Sequence, residues 1–277
     1  MLSLHTNNAA LSAQNAISKT QSNLSTSMTR LSTGYRINSA MDDAAGLQIA
    51  SRLKAQTSGM AVAMCNTQNS TAMLQTAEGA LDEVSNMLIR MKDLATQAAD
   101  TSSSIADKES MQSEYDALGT ELGNVLKNTK FGGETLIVGG TIGAAMKFQI
   151  GADALEVMDV DLSTEMTDVD DAVADILAEE LTTGGDATAA ITTLTAAIDT
   201  VGTLRSALGA SANRLEHVNS NLANISTNTK QATGLIMDVD FATESANMTS
   251  SQMLMQASTA MLKQSNSMSS MVMSLLQ

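Results

Sequence analysis

Residues 186–239 read DATAAITTLTAAIDTVGTLRSALGASANRLEHVNSNLANISTNTKQATGLIMDV. Within them Ala190, Leu194, Ala197, Val201, Leu204, Leu208, Ser211, Leu215, Val218, Leu222, Ile225, Thr229, Ala232, Ile236 and Val239 recur at alternating steps of three and four. That is the a/d spacing of a heptad, which keeps one face of a helix turned toward a partner. The chain has no proline to interrupt it. The spacing therefore predicts one helix, on the order of 75 Å long at ~1.5 Å per residue. So narrow an apolar stripe on so long a rod is stable only when packed on other helices.

The partner is written into the first third of the chain. Leu74, Ala77, Leu81, Val84, Leu88, Met91, Ala95 and Ala98 share the spacing, and the frame runs back weakly through Met60, Leu53 and Ile49. The expected fold is mainly α, a long coiled-coil-like bundle formed by the N- and C-terminal segments. The middle of the chain projects from it.

Composition narrows the class. Apolar residues make up 43% of the chain, but only Tyr35, Tyr115, Phe131, Phe148 and Phe241 are aromatic, against 20 methionines. Thin helical seams of small, adaptable side chains follow, closer to a fibre component than to an enzyme. The net charge of −15 is concentrated. Residues 1–100 carry seven acidic and seven basic side chains, and residues 187–277 carry five and four. Residues 148–186 hold twelve Asp or Glu and no Lys or Arg. Neutral ends rich in Ser, Thr, Asn and Gln can pack against copies of themselves, while the acidic segment 153–186 faces water. No Lys/Arg cluster supports nucleic-acid binding. The longest mostly apolar run, 136–146, is short and broken by glycines, so membrane insertion is not expected. The first thirty residues lack the basic and apolar regions of a cleavable signal peptide, so export, if it occurs, uses another route. The single cysteine, Cys65, is expected as a buried or half-buried helix residue.

Taken in order, residues 3–34 read as a helix with Leu4, Leu11, Ile17, Leu24 and Leu31 on a narrow stripe and poor intrinsic propensity. Alone in water it should be largely unfolded. Gly34 ends it, and residues 35–43 form a connector in which Asp42 or Asp43 caps the next helix. That helix runs to about Asp100, and a third covers 105–128 with Met111, Tyr115, Leu118, Leu122, Val125 and Leu126 inward. Then the period changes to short β-type runs at 134–138, 145–150 and 155–160, one or two hairpins, followed by a short helix at 169–181. After the long helix, a second acidic connector at 238–243 leads to a last helix. This helix carries Leu254, Met261, Met268 and Leu275 at seven-residue steps, with Met248, Met255 and Leu262 one row over. The two terminal helices are most simply paired with each other.

No chemistry-bearing constellation stands out. His5 and His217 lack the spacing of two zinc ligands on one helix, and there is no Cys-x-x-Cys and no phosphate-cradling glycine loop. No enzyme activity, metal or cofactor is expected.

The residues 24–28 (LSTSM), 30–40 (RLSTGYRINSA), 42–46 (DDAAG) and 75–81 (QTAEGAL) resemble the bacterial flagellin family. So do Leu208-Gly209-Ala210, Asn213-Arg214-Leu215, 240–244 (DFATE) and Leu275-Leu276. The resemblance covers roughly 1–160 and 190–277, and the chain looks like a short form without large outer domains. It implies a secreted structural subunit that polymerises into the extracellular flagellar filament for motility. Residues 1–45 plus 237–277 would line the filament channel and 46–236 would form the surrounding tube. It implies contacts between copies through the terminal stripes, an export chaperone at the C-terminal segment, and hook-associated and cap proteins as partners. Alternatives are a hook–filament junction protein and a soluble coiled-coil signalling or adhesion protein. Residues 88–95 (LIRMKDLA) resemble the family's contact for the animal Toll-like receptor five. On seam spacing, Arg90 and Leu94 are expected to point outward, and Glu114 matches a further contact.

Overall fold

The computed structural model describes residues 7–182 and 184–274, excepting the side chains of residues 184–185 and 269–274. Six helices dominate the described residues: α1 (Asn8–Thr33), α2 (Ala44–Ala99), α3 (Ile105–Asn128), α4 (Ser163–Leu177), α5 (Gly184–Met237) and α6 (Phe241–Ser274). Two antiparallel pairs lie between α3 and α4: β1 (Lys130–Phe131) with β2 (Glu134–Thr135), and β3 (Met146–Gln149) with β4 (Val157–Val160). The mainly α architecture with a small β-hairpin region is the one the periodicity predicts.

Packing divides the chain into two units, residues 1–55 with 227–277, and residues 56–226. In the second unit the predicted seam is the core. From Leu74 to Ala98 and from Ala190 to Leu215 every predicted apolar seam residue is buried. Arg205 on α5 adds a polar tie to α2, its guanidinium 2.7 Å from Glu78 and 2.8 Å from Asp82. Hydropathy averaged along α5 is enough by length and composition for a membrane span. Its Leu194, Val201, Leu204, Leu208 and Leu215 are buried in the seam.

Four details depart from the sequence reading. Beyond Leu222 the buried position is Ser226, with Ile225 39% exposed, so the stripe drifts by one residue. A straight helix of 3.6 residues per turn slips against a strict seven-residue frame in this direction. Val239 lies past the helix end at Met237. Toward the start of α2 Met60 is buried and Leu53 half-buried as the frame predicts, with Ala63 and Thr67 also buried, but Ile49 is exposed and Ala50 is buried in its place. Thr67 is tolerated there because its hydroxyl donates to the Met64 carbonyl at 2.8 Å. Cys65 is exposed, a correction to the expected burial, because it lies off the face that carries Ala63 and Thr67.

Helix α4 starts six residues before the predicted 169, at Ser163. It turns Met166, Val169, Val173 and Ile176 into the core and is bonded to α3 by the buried Tyr115 hydroxyl, which donates to the Ile176 carbonyl at 3.1 Å. None of the twelve carboxylates between 153 and 186 is buried. At the far end of the hairpin, Ala152 packs against α2 at Gly59, where a Cβ would come within 2.6 Å of the Ala152 Cβ.

Candidate polymerisation surface

In the first unit α1 and α6 run antiparallel along each other. The Asn7 amide donates to the Ser265 hydroxyl at 3.1 Å near one end, and Arg30 Nη1 lies 3.8 Å from Glu244 Oε2 near the other. The facing positions on α1 are Ala10, Ala13, Ile17, Thr20, Leu24, Ser27 and Leu31. On α6 they are Glu244, Met248, Ser251, Met255, Ser258, Leu262 and Ser265. Both sets step by three and four, but only Ser27 and Glu244 fall below a tenth exposed. The pair thus shares a thin, serine-rich seam, with little apolar burial to hold it.

The connectors are better fixed. Gly34 ends α1 at φ 76, a left-handed conformation that suits glycine, and its N–H donates to the Arg30 carbonyl. Tyr35 and Asp238 form a single antiparallel bridge, flanked by Arg36 N–H to the Met237 carbonyl at 2.6 Å and Val239 N–H to the Gly34 carbonyl at 3.0 Å. Each acidic connector residue has a distinct job. Asp43 accepts from Gly46 N–H at 2.8 Å and caps α2. Asp42 accepts from the N–H groups of Asn38 and Ser39, which hold its carboxyl below the usual range. Asp240 caps α6 through Ala242 N–H and the Thr243 hydroxyl, and those bonds lower its pKa in the same way.

The predicted terminal stripe residues separate into two groups. Ile17, Leu24 and Leu31 are half-buried, on the face turned to α6. Leu11, Leu254, Met261 and Met268 are about half or more exposed. The row of α6 that meets α1 is Met248, Met255 and Leu262, one position over from the predicted stripe. Leu4 and Leu275 lie outside the described residues. Seven-residue spacing alone could not tell these two rows apart, because both carry Met or Leu at every step.

On α2, Arg90 is exposed and its Nε and Nη2 donate to Glu114 Oε1 on α3 at 3.0 and 2.6 Å. Leu94 overturns the expectation of an outward side chain: it is 3% exposed and belongs to the core. The reason is that α2 is covered on two sides. Val84, Leu88, Met91, Ala95 and Ala98 belong to the heptad seam, and Met87 and Leu94 are buried beside it, where α3 lies against α2 through Arg90–Glu114 and Gly119 near Met91. Ile89 is the apolar residue of this stretch that is exposed, at 48%.

Two family models match the chain, one described as the bacterial flagellin N-terminal helical region over residues 4–141 and one as the C-terminal helical region over residues 191–276. A flagellin from Halalkalibacterium halodurans is 38% identical over 251 residues, 90% of each chain. Flagellin A of Vibrio anguillarum is 32% identical, with all of both chains covered. That alignment spans 379 positions against 277 residues here, so about a hundred of its positions have no counterpart in this chain. The crystal structure of Bacillus cereus flagellin superposes with a TM-score of 0.50 at 28% identity, covering 57% of this chain and 88% of that one. With both terminal regions matched and relatives aligned end to end, the chain belongs to the bacterial flagellin family, whose members are structural subunits of the extracellular flagellar filament and not enzymes.

Proposed function

We propose that this subunit assembles through its terminal helices, with residues 1–45 and 237–277 lining the filament channel and 46–236 forming the tube around it. The observation that carries the reading is the half-satisfied α1/α6 pair. Leu11 on α1 and Leu254, Met261 and Met268 on α6 keep large apolar side chains in water, on helices with almost no net charge. Such faces gain stability only when a neighbour covers them. Ile17, Leu24 and Leu31 hold the two helices together, and by sequence spacing alone Leu4 and Leu275 belong to the same stripes. The acidic segment 153–186 stays on the outside.

Deletion of residues 252–277 tests this. The truncated protein keeps a folded 56–226 unit and fails to extend filament seeds; filaments from the truncated chain would refute it. By family resemblance the same C-terminal segment binds an export chaperone before secretion. The polymer ends meet hook-associated and cap proteins.

Recognition by Toll-like receptor five is a further part of the proposal, with Arg90 and Glu114 as the contact and Leu94 acting only by supporting α2 from beneath. Monomer activates the receptor and Arg90→Ala weakens the response. Equal responses of reporter cells to wild type and to folded Arg90→Ala would remove Arg90 from the contact.

A further inference from the structure

Two of the five aromatic side chains, Tyr35 and Phe241, are exposed at 47% and 56%. The other three, Tyr115, Phe131 and Phe148, are buried or half-buried in the 56–226 core. The exposed two sit together on fixed backbone. Tyr35 follows the left-handed Gly34 and is bridged to Asp238, while Phe241 opens α6 with its ring over Gly34, 3.8 Å from where a Cβ would stand. An aromatic pair held on a rigid turn loses little conformational entropy on contact, the property that makes aromatics good anchors.

Farther along α6 lies a surface that suits them. Leu254, Met261 and Met268 project at seven-residue steps, each more than half exposed. Thioethers pack favourably against aromatic rings and adapt to their shape. The two surfaces cannot meet within one copy: Phe241 and Met261 belong to the same continuous helix, twenty residues apart, or ~30 Å at 1.5 Å per residue.

We propose that the Tyr35–Phe241 pair of one copy packs on the Leu254–Met261–Met268 stripe of a second copy. The contact joins two different patches, so each added copy presents a fresh stripe. Head-to-tail contacts of this kind propagate as open helical polymers unless their rotation closes a ring. The inference rests on the filament-subunit reading above and adds the identity of one joined pair of surfaces.

The test uses the full chain carrying Phe241→p-benzoylphenylalanine, mixed with isotope-labelled wild type, grown on filament seeds and irradiated. Cross-links between chains within 253–268 are expected. Filaments whose cross-links fall elsewhere, or only within one chain, overturn the inference and leave the filament reading standing. Failure of the wild type to form filaments overturns both. A second arm guards against a misplaced probe. The double variant Tyr35→Ser/Phe241→Ser should raise the critical concentration for growth by about tenfold or more, with the unfolding transition of the 56–226 unit unchanged. An unchanged critical concentration rejects the contact.

Discussion

Glu244 is the buried carboxylate among the described residues, and its partner Arg30 stands 3.8 Å away, too far for a hydrogen bond, with Arg30 Nε buried and unpartnered. A buried charge left alone is costly, so removing one partner of this pair should hurt more than removing both. Glu244→Ala should weaken the α1/α6 pairing by about 1–3 kcal/mol. Arg30→Met with Glu244→Met should weaken it less. Protease sensitivity of the two terminal segments, compared across the three proteins in filaments, reads the difference. Equal sensitivity of single and double variants would refute the argument.

Gly46 is hemmed in. A Cβ there would lie 2.5 Å from Asp43 Oδ2 and 2.8 Å from the Ile37 Cδ1, displacing both the α2 cap and a buried side chain. Gly46→Ala should therefore destabilise by about 1–3 kcal/mol, although alanine is the better helix former by up to ~1 kcal/mol. Urea unfolding followed by circular dichroism checks the sign.

Leu94 and Arg90 are separable by stability. Truncating a buried leucine leaves a cavity, so Leu94→Ala should cost about 2–5 kcal/mol. Arg90→Ala removes an exposed ion pair worth at most ~1 kcal/mol. Thermal unfolding should fall by several degrees in the first variant and barely in the second.

Tyr115 carries an alkaline signature. Burial first, then the charges of Glu179 and Asp116, push its phenol above the ordinary range. The fold favours the neutral form, so its contribution is complete below the unfolded pKa of about 10 and is lost as pH rises beyond it. Tyr115→Phe gives up the bond to Ile176, about 0.5–1.5 kcal/mol at neutral pH, and should flatten the loss of stability above about pH 10. A parallel alkaline decline in both proteins would exclude Tyr115 as its source.

The acidic segment should tune association more than folding. Asp153, Asp168, Asp171 and Asp175 are all exposed, and replacing the four by Asn should promote filament bundling at low salt with little change in unfolding. Asp170 behaves differently. Burial and then the Asp171 charge raise its pKa, so its ionised form opposes folding at neutral pH and the penalty vanishes on acidification through the folded-state pKa. Asp170→Asn should be slightly stabilising at pH 7 and neutral at low pH. Loss of fold in the fourfold variant would place these side chains inside.

The sequence by itself determined the long helices, the glycine and cap residues that bound them, and the seam from Ala190 to Leu215. The step of three and four from Ala190 to Leu215 can be satisfied only by a helix packed on a helix, and Gly34, Asp43, Ser104 and Asp240 mark boundaries through backbone chemistry that acts within a few residues. What lies across a seam was not written locally. Leu94 is buried because α3 returns to cover a second side of α2, and α4 begins at Ser163 because its apolar face finds the core. The choice between the Met255 and Met261 rows of α6 was also tertiary. Two apolar rows with the same seven-residue period are equivalent to the sequence, and only the position of α1 decides which one is covered.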